Sequence, residues 1–139
     1  MICIIRIRGR VGLNRDVKET LERLRLGKKY TCVVLLSPNK EQAGMIKKLR
    51  NFIALGDIRK DVFEKLIDKR GQKIDKKKSV DSKKIVEELE KGKTYEYLNL
   101  KPFFRLHPPR GGINSKLHFP KGVLGDNKEH INKLIERML

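Results

Sequence analysis

The stretch Thr31-Cys32-Val33-Val34-Leu35-Leu36-Ser37-Pro38-Asn39-Lys40-Glu41-Gln42 decides the fold. Its first half is a short run of β-branched and apolar residues, far too short to span a bilayer. It reads as a strand from Tyr30 to Ser37, apolar on both faces and therefore central in a sheet. Pro38 has no N–H to offer a ladder and ends the strand. Asn39 then stands where a helix N-cap is wanted, and Gln42, three residues on, can reach back to its N–H in a capping box. A strand that turns straight into a capped helix is half of an alternating β–α pattern.

Working outward, the same alternation appears on both sides. Ile2 to Arg8 reads as a first strand, with Cys3, Ile5 and Ile7 on one face and Ile2, Ile4, Arg6 and Arg8 on the other. Asn14 caps a helix that runs to about Leu26, with Leu13, Val17, Leu21 and Leu24 as its apolar stripe and Gly27 as its end. Downstream, the helix capped by Asn39 is expected to bury Ala43, Ile46 and Leu49, while Lys47, Lys48 and Arg50 face elsewhere. Phe52 to Ile58 reads as a third strand. Residues 1–58 therefore spell β-α-β-α-β, an α+β core whose helices cover one sheet face while the other receives Arg6 and Arg8.

After Ile58 the texture changes, and residues 59–139 read as a C-terminal extension. Val62, Phe63, Leu66 and Ile67 mark an amphipathic helix stopped by Gly71. The run from Lys69 to Lys78 is a basic loop, and Asp81 or Ser82 caps a helix burying Ile85, Val86 and Leu89 and ending at Gly92. Tyr95 to Leu100 and Phe103 to Leu106 look extended. Asp126 with Glu129 opens the last helix, where Ile131, Leu134, Ile135 and Met138 recur at i, i+3, i+4 and i+7.

Charge points to the partner. The chain carries 34 Lys and Arg against 17 Asp and Glu in 139 residues, a formal +17 with a pI near 10.1. Such self-repulsion weakens a compact state and is expected where a polyanion neutralises it. Between Glu96 and Asp126 there is no acidic residue at all, while Lys101, Arg105, Arg110, Lys116 and Lys121 fall inside that span. Pro108-Pro109-Arg110-Gly111-Gly112 resists regular structure there, so Arg105 to Lys121 is expected to be extended and ordered only against RNA.

Other chemistry is thin. His107, His118 and His130 have no Cys or carboxylate at metal-ligand spacing, and no C-x-x-C, Walker, G-x-S-x-G or G-x-G-x-x-G motif occurs. His107 and His118, inside the basic stretch, suit contacts to phosphate or base better than acid–base catalysis; His130 suits a surface role. Gly9-Arg10-Val11-Gly12 between a strand and a helix is too weak a signal for a phosphate loop. Cys3 and Cys32 both fall in strands and read as buried small hydrophobes, a cross-strand disulfide being the minor alternative. Met1 leads directly into a strand, without the pattern of a signal peptide, so an intracellular protein is expected. With no Trp and 6% aromatics, a stacking platform for single strands is not expected, which leaves the phosphates of folded RNA.

The order of short motifs resembles the family of large-subunit ribosomal protein thirty in its longer archaeal and eukaryotic form. Gly44-Met45-Ile46-Lys47-Lys48 resembles the Gly-Met-Ile helix motif of the short bacterial members. Phe52-Ile53-Ala54-Leu55-Gly56, Lys69-Arg70-Gly71, Lys73-Ile74, Lys76 to Lys78, Pro102-Phe103, Pro109 to Gly112, His118-Phe119 and Ile131 to Ile135 with Arg137-Met138 look like the longer ones. Leu55 stands where longer members often carry Trp, and the basic N-terminal tail of eukaryotic members is missing before the first strand, which suggests the archaeal type. The resemblance implies a ferredoxin-like core with an added C-terminal lobe and a non-catalytic structural role in the ribosome.

On these combined grounds the expected RNA contacts are Arg6, Arg8 and Arg10 in and just after the first strand, and Lys47, Lys48 and Arg50 at the end of the second helix. Lys73, Lys76, Lys77 and Lys78 follow in the basic loop. Lys101, Arg105, His107, Arg110, Gly111, Gly112, Lys116, His118 and Lys121 complete the set. Expected partners are ribosomal RNA and neighbouring ribosomal proteins in the cytoplasm, with no cofactor, metal, membrane or small-molecule substrate. The alternatives are a small RNA-processing or RNA-modifying enzyme, which would need an acid–base pair near the RNA face, and a free RNA chaperone.

Overall fold

In the computed structural model, which describes residues 1–9, 12–36, 38–77, 81–113, 117–119 and 121–139, the alternation over the first 58 residues is present. Strand β1 (Ile2–Arg6) is followed by helix α1 (Arg15–Arg23), β2 (Thr31–Leu35), α2 (Lys40–Lys48) and β3 (Ile53–Asp57). The chain continues through α3 (Lys60–Arg70), α4 (Ser82–Glu90), β4 (Phe104–Arg105), β5 (Gly125–Asp126), a 3-10 turn (Lys128–His130) and α5 (Ile131–Met138). The strands form one sheet in the order β4-β2-β1-β3-β5. β1 runs antiparallel to both β2 and β3, β4 joins β2 antiparallel, and β5 joins β3 parallel. The central strand is thus β1. β2 is apolar on both faces because both faces are covered, which is a matter of layers and not of position within the sheet.

Period-two alternation sorts the core into two layers. Ile4, Val33 and Ile53 meet Val17, Leu21, Leu24, Ile46 and Leu49 of the α1/α2 layer. Cys3, Ile5, Cys32, Val34 and Ala54 meet Phe63, Leu66, Ile85, Leu89, Leu134 and Ile135 on the opposite face. Arg6 alternates with Ile4 and so lies on the α1/α2 face, where it bonds the end of α1, and not on the opposite face where it is expected above; α3, α4 and α5 fill that opposite face. Residues 59–139 supply that whole cover and both outer strands. Phe63 and Phe104 meet edge-to-face there, with centroids 6.4 Å apart and planes at 88°, an arrangement worth about 0.5–1.5 kcal/mol beyond its buried area.

Local signals explain the helix starts. The Val17 N–H donates to Asn14 Oδ1 at 2.9 Å, and Asn39 and Gln42 complete their reciprocal capping box. Asp81, not Ser82, caps α4 through the Lys83 N–H. The end of α1 differs from expectation. Arg25, at φ 62°, takes the left-handed position, with Leu26 N–H on Leu21 O and Arg25 N–H on Glu22 O. This is a Schellman ending with arginine where glycine is usual, so Gly27 is not the terminator.

Other expectations need correction. Ala43 is exposed, because α2 turns only Ile46, Leu49 and part of Met45 toward the sheet. Tyr95 to Leu100 is a turn, not an extended run; Asn99 at φ 63° closes it, and only Leu100 bridges to Lys73. The tract after Phe103 does not wait for RNA over its described part. Leu106 N–H donates to Tyr30 O, His107 N–H to Met138 O, and Arg110 N–H to Arg137 O. Arg137 also donates from Nε to Arg110 O at 3.0 Å and from Nη2 to Gly112 O. The C-terminal helix thus clips residues 107–112 to the body.

Close approach explains Gly56. A Cβ there would lie 2.3 Å from the Lys128 carbonyl oxygen and 2.8 Å from the Ile131 side chain. Only glycine lets β3 run beneath the start of α5.

Candidate nucleic-acid interface

The strand register brings Arg8 and Arg50 to one end of the sheet. The C-terminal end of β1 lies beside the starts of β2 and β3, since Ile5 pairs with Cys32 and Arg6 with Ile53. β4 brings Arg105 opposite Thr31, and His118 reaches the same end through a 2.8 Å hydrogen bond between its Nε2 and Asn51 Oδ1. Arg8, Arg50, Arg105 and His118 are all exposed there. The guanidinium of Arg8 lies 5.8 Å from the Phe52 ring centre, and that of Arg105 lies 5.5 Å from the centre of Phe103. Each is within cation–π range of an aromatic ring while the residue stays exposed to solvent.

Arg6 is not part of that surface. It is 3% exposed and donates from Nη1 to Leu26 O at 2.8 Å and from Nε to Arg8 O at 3.0 Å. Its guanidinium is buried against the carbonyls of Leu26, past the end of α1, and of Arg8, past the end of β1, so it holds the fold and does not reach the exposed basic surface. Lys47 and Lys48 lie exposed in the last turn of α2, where cations suit the helix dipole, and Lys48 pairs with Asp16 of α1.

A second basic group forms where two distant loops are stitched together. Lys73 bridges antiparallel to Leu100, Lys101 N–H donates to Gln72 O at 2.9 Å, and Asn99 exchanges hydrogen bonds with Asp75 at 2.7 and 2.9 Å. Lys73, Lys76, Lys77 and Lys101 are thereby gathered, all exposed, beside the exposed Ile74.

The remaining expected residues divide. The His107 ring contacts Pro108 O and Leu139 O, so it is engaged with the chain and not open to phosphate. Arg110, Gly111 and Gly112 are exposed on the turn clipped by Arg137, and Lys121 is exposed. Arg10, Lys78 and Lys116 lie outside the described residues. Arg25, Lys28 and Phe103, which sequence reasoning did not single out, share a notch with Arg105. The i, i+2 spacing of Phe103 and Arg105 on an extended run was the one available signal.

Two titratable groups of the core are perturbed. Cys3 and Cys32 are free, buried thiols with their Sγ atoms 3.1 Å apart. Burial, then the hydrogen bond to Cys32, pushes the Cys3 thiol well above its ordinary range. Burial likewise pushes the Tyr95 hydroxyl up, as it donates to Val34 O at 2.8 Å. Neither group lies on the basic surfaces. Among the described residues no three His, Cys, Asp or Glu side chains stand close enough to hold a metal, and no helix is long and apolar enough to cross a membrane.

Comparison with known proteins agrees with this arrangement. The family model for ribosomal protein L30p/L7e matches residues 2–53, the β-α-β-α core up to the start of β3. The large ribosomal subunit protein uL30 of Archaeoglobus fulgidus is 38% identical, covering 99% of both chains. That of Ignicoccus hospitalis is 38% identical over 98% of this chain and 96% of its own, and that of Methanopyrus kandleri 32% over 96% and 100%. Similarity that runs through the extension as well as the core, on a fold with this alternation, has one reading: the chain belongs to the L30p/L7e family of ribosomal proteins, with archaeal uL30 proteins as its full-length relatives.

Proposed function

We propose that this protein is a non-catalytic structural component of the large ribosomal subunit, bound in the cytoplasm to folded ribosomal RNA and to neighbouring ribosomal proteins. The observation that carries this reading is the end-to-end similarity to archaeal uL30, 38% identical over 99% of both chains. The surface chemistry supports it. Exposed Arg8, Arg50 and Arg105 at one sheet end, and Lys73, Lys76, Lys77 and Lys101 on the stitched loops, offer cations to phosphates. These surfaces position a protein on a backbone rather than read its sequence. The family placement, rather than any missing cluster, argues against the enzyme alternative.

Sedimentation of a lysate on a gradient, with blotting for this chain, tests the reading. The protein should migrate with large subunits; recovery only in light fractions would sink it. With purified protein and large-subunit RNA, affinity should fall steeply with salt, by a log–log slope of about −0.9 for each neutralised duplex phosphate.

A further inference from the structure

The end of α1, the start of β2 and the outer strand β4 enclose an open notch of about 310 Å³, lined by Glu22, Arg25, Lys28, Phe103 and Arg105 among others. We propose that this notch receives a single unpaired nucleotide extruded from the RNA to which the protein binds, an inference that rests on the reading above. The volume is at the low end for a ligand pocket, the scale of one small group rather than of an extended partner. Its wall carries an aromatic ring and a guanidinium, Phe103 with Arg105 5.5 Å from its centre, the two side-chain types on which an unpaired base stacks. Arg25 and Lys28 supply charge for the flanking phosphates. Glu22 would repel both phosphate and an acidic peptide, yet its carboxylate accepts hydrogen bonds from the N–H edge of a base. One anionic group among three cations beside an aromatic wall suits a nucleotide, with its phosphate toward Arg25 and Lys28 and its base edge toward Glu22.

Arg25 carries an independent mark. It holds φ 62° at a helix ending where glycine would be free of strain. The strained position places a guanidinium on the notch, which glycine could not do.

The test uses full-length protein and two RNA hairpins that differ only in one bulged guanosine, compared by fluorescence anisotropy at fixed salt. Wild type should bind the bulged hairpin about fivefold or more tightly than the paired one. Phe103→Leu and Arg25→Gly should each remove most of that preference, with Arg25→Gly melting no lower than wild type. Equal affinity of wild type for both hairpins overturns the nucleotide notch while leaving RNA binding intact. Binding to neither overturns the RNA-binding reading itself. A preference that survives both substitutions places the bulge elsewhere. Competition by a polyglutamate peptide that is lost in Phe103→Leu would assign the notch to an acidic protein segment and overturn the proposal.

Discussion

Arg6 donates to the carbonyl of Leu26 at 2.8 Å and so ties the middle strand to the Schellman ending of α1. A second bond from the same guanidinium, to Arg8 O, holds the chain as it leaves β1. Arg6→Met keeps the length of the side chain but leaves the buried carbonyl of Leu26 and the half-buried carbonyl of Arg8 without this donor. It should cost about 2–3 kcal/mol, with RNA affinity of the folded protein little changed. Urea denaturation measures the first and anisotropy the second; a loss below about 1 kcal/mol would show that water replaces the guanidinium easily.

Gly56→Ala places a methyl group 2.3 Å from a backbone oxygen. The obstacle is the Lys128 carbonyl, which cannot rotate away as a side-chain tip would. The 3-10 turn must shift off β3, at about 2–3 kcal/mol, or a fall in Tm of roughly 5–12 °C. A melting curve matching wild type would mean that the β3–α5 contact is looser than described.

Arg137 and the exposed cations of the preceding tract should separate in their effects. Arg137→Ala releases the carbonyls of Arg110 and Gly112 and should cost about 1 kcal/mol while speeding amide exchange at those residues. The triple variant Arg105→Ala, Arg110→Ala, Lys121→Ala removes solvent-exposed side chains. It should leave Tm nearly unchanged and weaken RNA binding. If the triple variant melts lower than Arg137→Ala, the anchoring role assigned to Arg137 is wrong.

Stability should decline at alkaline pH. Cys3 and Tyr95 are both held above their ordinary values, 9.0 and 10.0, chiefly by burial. An acid whose folded value is raised favours the folded state fully below its unfolded value and loses that contribution as pH rises through the folded one. Stability should therefore be level near pH 7 and fall above about pH 9. Cys3→Ala with Tyr95→Phe should flatten that fall; an equally steep decline in the double variant would place its origin elsewhere.

Local chemistry was legible in the sequence and long-range chemistry was not. Asn14, Asn39 and Gln42 act on N–H groups three residues away, so their spacing alone discloses the caps. The stripe from Ile131 to Met138 is likewise complete within one helix and is buried as its spacing requires. Arg6 was misjudged because alternation tells which face a residue takes, not which layer lies above it. Tyr95 to Leu100 differs from its extended reading because it closes on itself, with Leu98, Asn99 and Leu100 N–H groups on the carbonyls of Thr94 to Glu96. It is then held by bonds from Asn99 and Lys101 to the segment Gln72 to Asp75. Of the basic residues, Lys73 and Lys101 meet only through a bridge between loops. Arg25 and Lys28 share a notch with Phe103 only because β4 pairs with β2. Neither pairing leaves a periodic signal.

The outer strands set an order of events during synthesis. β4 and β5, each two residues long, begin only at Phe104 and Gly125, whereas β1, β2 and β3 are complete by Asp57. A nascent chain that has emerged through β3 therefore carries two unpaired sheet edges and one apolar face without its cover. It can complete neither until most of the remaining chain has left the tunnel. The vulnerable interval for misassociation falls between those two points, and shielding by a chaperone or by RNA already in place would matter most there.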